Sequence, residues 1–363
     1  MNIDNKFMAI AIDLAKSSEG MTNPNPLVGA VVVRLGRIVG RGYHKKCGLP
    51  HAEVNAIKSA GAKAKGATLY VTLEPCDHYG RTPPCTDAII KSGIKRVVIG
   101  MRDPNPITDG RGIKKLRKHG IAIRLGVLKN EAAAINKPFI KFVTRKMPLV
   151  RVKLAESIDG KIATKSGDSK WISSDESRRR VQILRSRVDA VMVGVNTVLK
   201  DDPSLLCKIP GLKQPFRVIV DSQLKVSLSA KIFTTSDKHS VILATTKSAS
   251  FKKAEQFAKN GISVLFCKAR SGRVDLKDLL KKLAWLNIID ILVEGGGELT
   301  AGLIESRLVD QLIFFISPKI IGGRDAKTSV EGEGVNKVKD AIQLKNVTVK
   351  MCGDDILVEA EPK

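Results

Sequence analysis

HAEVNAIKSAGAKAKGATLYVTLEPCDHYGRTPPCTDAI, residues 51–89, decides how the first half of the chain folds. From about Ala52 the pattern reads as a helix, ATLYVTL reads as a strand, and a second helix starts near Thr86, behind Pro83 and Pro84. Upstream lie a helix over about residues 4–18 and a strand pair, LVGAVVVRLGRIVGRGYH, that turns near Leu35 and Gly36. Downstream come a strand at KRVVIGM, a helix at GIKKLRKHG and a strand at IAIRLGV. Strands that alternate with helices imply an α/β sandwich around a mixed sheet.

A chain of 363 residues exceeds what one core usually serves, so two domains are expected. The polar and proline signals of TRKMPLV, just before the strand LVRVKLAES, place the boundary between residues 1–146 and 147–363. In the second part DAVMVGV, FRVIVD, SVILAT, ISVLFC, IIDILVEGGG and DQLIFFISPKII read as strands, with helices such as SDESRRRVQILRSR and KDLLKKLAWLN between them. There are no tandem repeats and no low-complexity tracts, so the chain reads as two different α/β domains.

Aromatic residues make up only 4% of the chain, which argues against a base-stacking nucleic-acid platform. The opening MNIDNKFMAIAIDLAKSSEG is interrupted by Asp4 and Asp13 and reads as an amphipathic helix, not a signal peptide. No stretch has the apolar length of a membrane span. Six scattered cysteines are too few for a disulfide framework and suit a reducing cytoplasm. The net charge of +26 is spread along the chain among acidic residues, so it reads first as a lysine-rich solvated surface and next as a preference for phosphorylated ligands. Cys47, Cys207, Cys267 and Cys352 read as small core or surface residues.

His51, Cys76 and Cys85 stand apart. One nitrogen and two sulfurs suit zinc and leave a tetrahedral position open, a set more typical of a catalytic than a structural site. Glu53 follows His51 by two residues, so both serve one centre only if they flank a helix start, with the metal beyond its end. Zinc lowers the pKa of bound water to about 7, and a nearby carboxylate can take the proton and hand it to a departing amine. That is the scheme of the zinc nucleobase deaminases, with their H-x-E and P-C-x-x-C signature. Here eight residues, DHYGRTPP, separate Cys76 from Cys85, and His78 and Arg81 on that loop are placed to shape a substrate pocket. The competing reading is a structural clip with His78 as fourth ligand. His44 reads as an ordinary loop histidine or a further site residue.

In the second half, IIDILVEGGGELTAGLIES runs from an apolar strand through three glycines into a helix, where backbone N–H groups converge on a place for a pyrophosphate. A tight structural turn is the alternative. Trp171 reads equally as a stacking residue or a core residue, and Arg178, Arg179 and Arg180, behind an N-cap at Ser174, as a solvated helix face.

The segments NPNPLVGAVVV (23–33), GYHKKCGLPHAEVNA, TLEPCDHYGRTPPC and DPNP (103–106), in that order, resemble the deaminase half of the bifunctional riboflavin biosynthesis family. That family joins a diaminohydroxyphosphoribosylaminopyrimidine deaminase to a 5-amino-6-(5-phosphoribosylamino)uracil reductase. LAESIDGKIATKSGDSKWIS, VGVNTVLKDDPSL, RVIVDSQ and VEGGGELTAGLIESRLVDQ resemble its reductase half. The resemblance spans nearly the whole chain, and the eight-residue gap between the cysteines is the family's own spacing.

It implies a cytidine-deaminase-like α/β/α sandwich followed by a dihydrofolate-reductase-like α/β domain. It implies zinc on His51, Cys76 and Cys85, with Glu53 as proton donor and acceptor. NADPH contacts carry over to Ala155, Trp171, Thr197, Asp201 and Ser222, and to Gly296, Gly297, Glu298, Leu299, Thr300, Ala301 and Gly302. Contacts to the phosphoribosyl substrate carry over to Ser169, Arg185, Leu205, Lys208 and Glu294. Lys208 stands where arginine is expected, so its grip on phosphate is that of a point charge. Lys153 and Asp201 are candidates to assist protonation in the reduction.

The partners expected are a small phosphorylated pyrimidine and, as an open possibility, a second copy of the chain; neither nucleic acid nor membrane is expected. A tRNA or single-stranded DNA deaminase with an accessory domain is the first alternative, against which few aromatics and the absence of a basic tail weigh. A non-catalytic zinc module is the second, and it leaves Glu53 and the open ligand position without purpose.

Overall fold

The computed structural model describes residues 2–80, 82–235 and 240–363. It divides into two compact units, Met1–Met147 and Pro148–Lys363.

The first unit runs α1 (Ile3–Lys16), β1 (Gly29–Arg34), β2 (Arg37–Tyr43), α2 (Ala52–Ala60), β3 (Thr68–Leu73), α3 (Cys85–Lys91), β4 (Arg96–Met101), α4 (Arg111–Lys118), β5 (Ala122–Leu125), α5 (Lys129–Ala134) and α6 (Lys137–Arg145). Its sheet has the order β2-β1-β3-β4-β5, with β1 antiparallel to β2 and β3, and β3, β4 and β5 parallel. The β1–β2 hairpin turns at Leu35 and Gly36, both at positive φ (49° and 73°), the geometry that a two-residue turn between twisted strands needs.

Gly29 pairs with Tyr43 and shares its face, whereas Gly42 lies on the opposite one. A Cβ on Gly29 would stand 1.9 Å from the carbonyl oxygen of Ala11 in α1, and one on Gly42 would stand 2.4 Å from that of Ala52 in α2. The two helices therefore cover opposite faces, and α2 rests directly on β2. That contact fixes the start of α2, where His51 and Glu53 sit. α1 is amphipathic as expected and buries Phe7, Met8, Ala11, Ile12 and Ala15.

The second unit runs β6 (Leu149–Ser157), α7 (Asp175–Arg187), β7 (Ala190–Gly194), α8 (Val195–Asp201), β8 (Phe216–Val220), α9 (Lys231–Thr234), β9 (Val241–Thr246), α10 (Phe251–Lys259), β10 (Ser263–Cys267), β11 (Ala269–Arg270), β12 (Arg273–Val274), α11 (Leu276–Trp285), β13 (Asp290–Glu294), α12 (Gly297–Glu305), β14 (Gln311–Ser317), β15 (Leu344–Cys352) and β16 (Asp355–Pro362). Nine strands form one sheet in the order β10-β9-β8-β7-β13-β6-β14-β16-β15. The run from β10 to β14 is parallel, and β16 and β15 continue it antiparallel. Every residue of β9 and β13 is buried, as parallel strands covered on both faces require. Ser174 caps α7 by accepting from the Ser177 N–H, as the sequence suggests. Val195, expected to extend the strand before it, instead opens α8 after Gly194. Among the described residues no helix is long and apolar enough to cross a membrane.

Candidate active sites in the two units

His51 is the N-cap residue of α2 and Cys85 the first residue of α3, so both helix starts point at one place. Cys76 follows β3 by three residues. His51 Nδ1 lies 3.2 Å from Cys85 Sγ and 3.5 Å from Cys76 Sγ, and the three donor atoms fall within 4.8 Å of one another. The other nitrogen of the His51 ring, Nε2, is 3.4 Å from Thr82 Oγ1. Among the described residues no fourth His, Cys, Asp or Glu joins this group. His78, the candidate fourth ligand of a closed clip, is outside it, and its Nδ1 is buried without a hydrogen-bond partner. Arg81 lies outside the described residues.

The electrostatics divide the sulfur pair into a thiolate at Cys76 and a thiol at Cys85. Hydrogen bonding from Cys85, together with His51, draws the Cys76 thiol down to about 4, while the Cys76 sulfur and burial push Cys85 up. Glu53 is 3% exposed, and burial raises its carboxyl to about 7, opposed by His51. A carboxyl near neutrality beside a metal-type donor set is suited to passing protons.

His44 is not an ordinary loop histidine. It is buried, its ring meets that of His51 edge-on at 5.2 Å, Nε2 is 3.2 Å from Asn25 Nδ2 and Nδ1 is 3.4 Å from the Pro50 carbonyl oxygen. Burial lowers its pKa, which keeps the ring neutral. All six cysteines are free thiols, and Cys207 and Cys267 are core residues.

In the second unit a cleft of about 1200 Å³ opens at the carboxyl ends of the parallel strands β6, β7, β8 and β13, where ligands of open α/β sheets bind. Ala155 comes to it from β6, Thr197 and Asp201 from α8, and Ser222 from the end of β8, where its hydroxyl accepts from the Val274 N–H. Ser169 and Trp171 come from the loop before α7, and Leu205 and Lys208 from the loop after α8. Trp171 is 61% exposed and so does not fill a core; the Arg178 guanidinium sits 4.7 Å above its ring. Arg178 also donates to the Ser173 carbonyl and, with Arg179, lines the cleft, so the arginine run is only partly a solvated face.

Gly295 and Gly296 hold positive φ (91° and 87°) and turn the chain into α12, whose first residues, Gly297 to Leu299, reach the cleft together with Gly302. Thr300 and Ala301 belong to the same segment but are buried, and they are not among the residues that line the cleft. Arg185 is engaged rather than free: Nε donates to Glu294 Oε1 at 2.6 Å, one Nη to Oε2 at 3.0 Å and the other to the Leu206 carbonyl at 3.0 Å. Lys153 Nζ lies 3.5 Å from the same carboxylate. Burial pushes Glu294 up, but the two cations prevail and hold it down to about 2. The sequence did not reveal this triad, because its members are far apart in the chain.

Residues 1–101 match the model of the cytidine and deoxycytidylate deaminase zinc-binding region, and residues 148–358 match that of the RibD C-terminal domain. The chain is 47% identical to the riboflavin biosynthesis protein RibD of Actinobacillus pleuropneumoniae, over 98% of this chain and 94% of that one. It is 46% identical to that of Aquifex aeolicus, over 98% of both. Among solved structures, Acinetobacter baumannii RibD superposes with a TM-score of 0.90 at 36% identity, covering 99% of each chain. The Thermotoga maritima diaminohydroxyphosphoribosylaminopyrimidine deaminase/5-amino-6-(5-phosphoribosylamino)uracil reductase gives 0.87 at 40% identity, again over 99% of each. Identity of this extent across both units shows that the chain belongs to the RibD family of riboflavin biosynthesis proteins.

Proposed function

We propose that residues 1–146 deaminate 2,5-diamino-6-(5-phosphoribosylamino)pyrimidin-4(3H)-one, with His51, Cys76 and Cys85 as zinc ligands and Glu53 as proton carrier, and that residues 147–363 reduce the product. The chain is a bifunctional deaminase and reductase. The observation that carries the first reading is the convergence of one imidazole nitrogen and two sulfurs beside a buried carboxyl. This donor set fits zinc with one position open.

Zinc, when bound, supplies the Lewis acidity that brings water toward a pKa of about 7. Glu53 takes the proton of the attacking water and returns it to the amine that leaves the ring carbon as ammonia. The neutral His44 and the unpartnered Nδ1 of His78 offer polar contacts to the pyrimidine.

In the second unit NADPH, when bound, supplies the hydride that reduces ribosyl C1′ to give 5-amino-6-(5-phosphoribitylamino)uracil. The start of α12 offers backbone N–H groups to the cofactor's pyrophosphate. Ala155, Trp171, Thr197, Asp201 and Ser222 form the rest of the cofactor side. Ser169, Leu205 and Lys208 face the phosphoribosyl group, with Lys208 as a point charge. Arg185 positions Glu294, and Lys153 delivers the proton to the oxygen released from C1′.

Replacing Cys85 by Ser tests the metal reading. The purified protein should hold about one zinc per chain by the three-ligand rule, and C85S should lose most of it along with ammonia release. Full zinc content and normal deamination in C85S would overturn the assignment.

Six free thiols also fit a reducing cytoplasm. Self-association is read from β15, the outer strand of the nine-stranded sheet, which exposes Val347, Val349 and Met351. An open edge with an apolar stripe invites pairing with an identical edge about a two-fold axis. Sedimentation should therefore give a dimer for the unmodified chain and a monomer for Val349→Lys; a V349K variant of unchanged mass would refute this interface.

A further inference from the structure

The two cysteines of the candidate metal site are separated by eight residues, a span too long for a single tight turn to hold their sulfurs in register. The structure supplies a brace from elsewhere in the chain. Lys115, in α4, places Nζ 2.6 Å from Asp77 Oδ1 and 2.7 Å from Asp87 Oδ1. Asp77 directly follows Cys76, and Asp87 lies two residues after Cys85. Thr86, the neighbour of Cys85, donates its hydroxyl to the same Asp77 oxygen at 2.8 Å, and its N–H reaches the Cys76 carbonyl at 3.3 Å.

The rest of α4 is locked to the strand end that carries Cys76. The buried Glu74 accepts at Oε1 from the Ile113 N–H (3.2 Å) and at Oε2 from the N–H groups of Gly110 (3.1 Å) and Asp103 (3.3 Å). At Gly112 a Cβ would stand 1.9 Å from the Pro75 carbonyl oxygen, so only glycine lets the helix come this close. Contacts from α4 thus reach Glu74, Pro75 and Asp77, and the lysine extends them to the start of α3.

We propose that Lys115 is a positioning residue for the metal site: its ammonium ties Asp77 to Asp87 and so fixes the distance between the Cys76 and Cys85 sulfurs. This rests on the zinc reading of His51, Cys76 and Cys85. Lys115 touches neither metal nor substrate; it acts through the two aspartates. Removing the ammonium leaves two carboxylates without their shared cation and frees both ends of the loop. Groups that hydrogen-bond the ligands themselves are worth roughly 10- to 100-fold in metal affinity, and Lys115, one step further out, is expected to be worth less.

The test uses the full-length zinc-loaded protein, with Lys115→Met, Lys115→Arg and, because K115M removes both arms at once, Asp87→Asn as a milder cut. Zinc release to a colorimetric chelator is timed, cobalt-substituted protein is examined for its thiolate-to-cobalt charge-transfer bands, and melting is followed by circular dichroism. The expected result is release several-fold faster in K115M, up to about 10-fold, with altered cobalt bands, a smaller change in D87N and recovery in K115R, all in folded protein at the assay temperature. Unchanged release and cobalt spectra in folded K115M and D87N would overturn the proposal, as would loss of zinc only in step with unfolding. An unmodified protein that holds no zinc would overturn the metal reading itself.

Discussion

Glu331 occupies the space that a side chain at position 297 would need. A Cβ on Gly297 would stand 2.6 Å from Glu331 Cγ and 2.8 Å from its Cδ, and the Glu331 N–H reaches the Gly297 carbonyl at 3.4 Å. The glycine that opens α12 is therefore confined first by a segment 34 positions further along the chain. Both residues line the reductase cleft, so a change at one is felt where the cofactor is expected.

Gly297→Val forces Glu331 outward at the cleft wall. A binding cost of about 1.4 kcal/mol from the displaced carboxylate would be roughly tenfold in affinity. NADPH titration by fluorescence should show binding weakened by at least about tenfold in the single variant, with most of the loss recovered in the Gly297→Val/Glu331→Ala double variant. No recovery in the double variant would mean that the cofactor, and not Glu331, limits the space at Gly297.

Asp4 anchors α1. Its carboxylate, almost fully buried, accepts from the Tyr70 hydroxyl at 2.7 Å, from Arg96 at 2.7 and 3.1 Å, and from Arg124. Hydrogen bonding from Arg96 is the main reason its pKa is lowered in the folded chain. A lowered folded pKa contributes stability that is present above the unfolded value, about 3.9, and is lost as pH falls through the folded one. Asp4→Asn should destabilise the first unit by about 1–3 kcal/mol at neutral pH and flatten the fall of stability below about pH 4. Denaturant titrations at pH 7 and pH 3 would show it; an equal loss at both would contradict the linkage.

What the sequence disclosed and what it withheld divide along contact distance. The hairpin at Leu35 and Gly36, the cap at Ser174 and the helix starts at His51 and Cys85 depend on neighbours within a few residues, and each is where the pattern placed it. The terminal hairpin of β15 and β16 gave little signal, because nearly every residue of β15 is exposed and no buried face marks it. α5, of six residues, is too short to carry a periodic pattern. The ion triad of Lys153, Arg185 and Glu294, the Glu331 contact with Gly297 and the Lys115 bridge all join positions remote in sequence. Arg185 illustrates the difference: the resemblance implies a substrate contact there, and the structure adds its pairing with Glu294, which the sequence does not disclose.

The central claim is that two chemistries reside in separate units and that Glu53 moves the protons of the first. Glu53→Gln keeps the side chain's size and all three proposed zinc ligands but removes the carboxylate. General acid–base help is worth roughly 10²- to 10⁴-fold. The decisive measurement follows ammonia release from the diaminopyrimidine ribosyl phosphate and NADPH oxidation with the deaminated substrate, in the same zinc-assayed E53Q preparation. The account predicts that ammonia release falls by that factor while zinc stays bound and NADPH oxidation proceeds near the unmodified rate. Undiminished ammonia release would deny Glu53 its role, lost zinc would make it a ligand, and a failed reductase would contradict the independence of the two units.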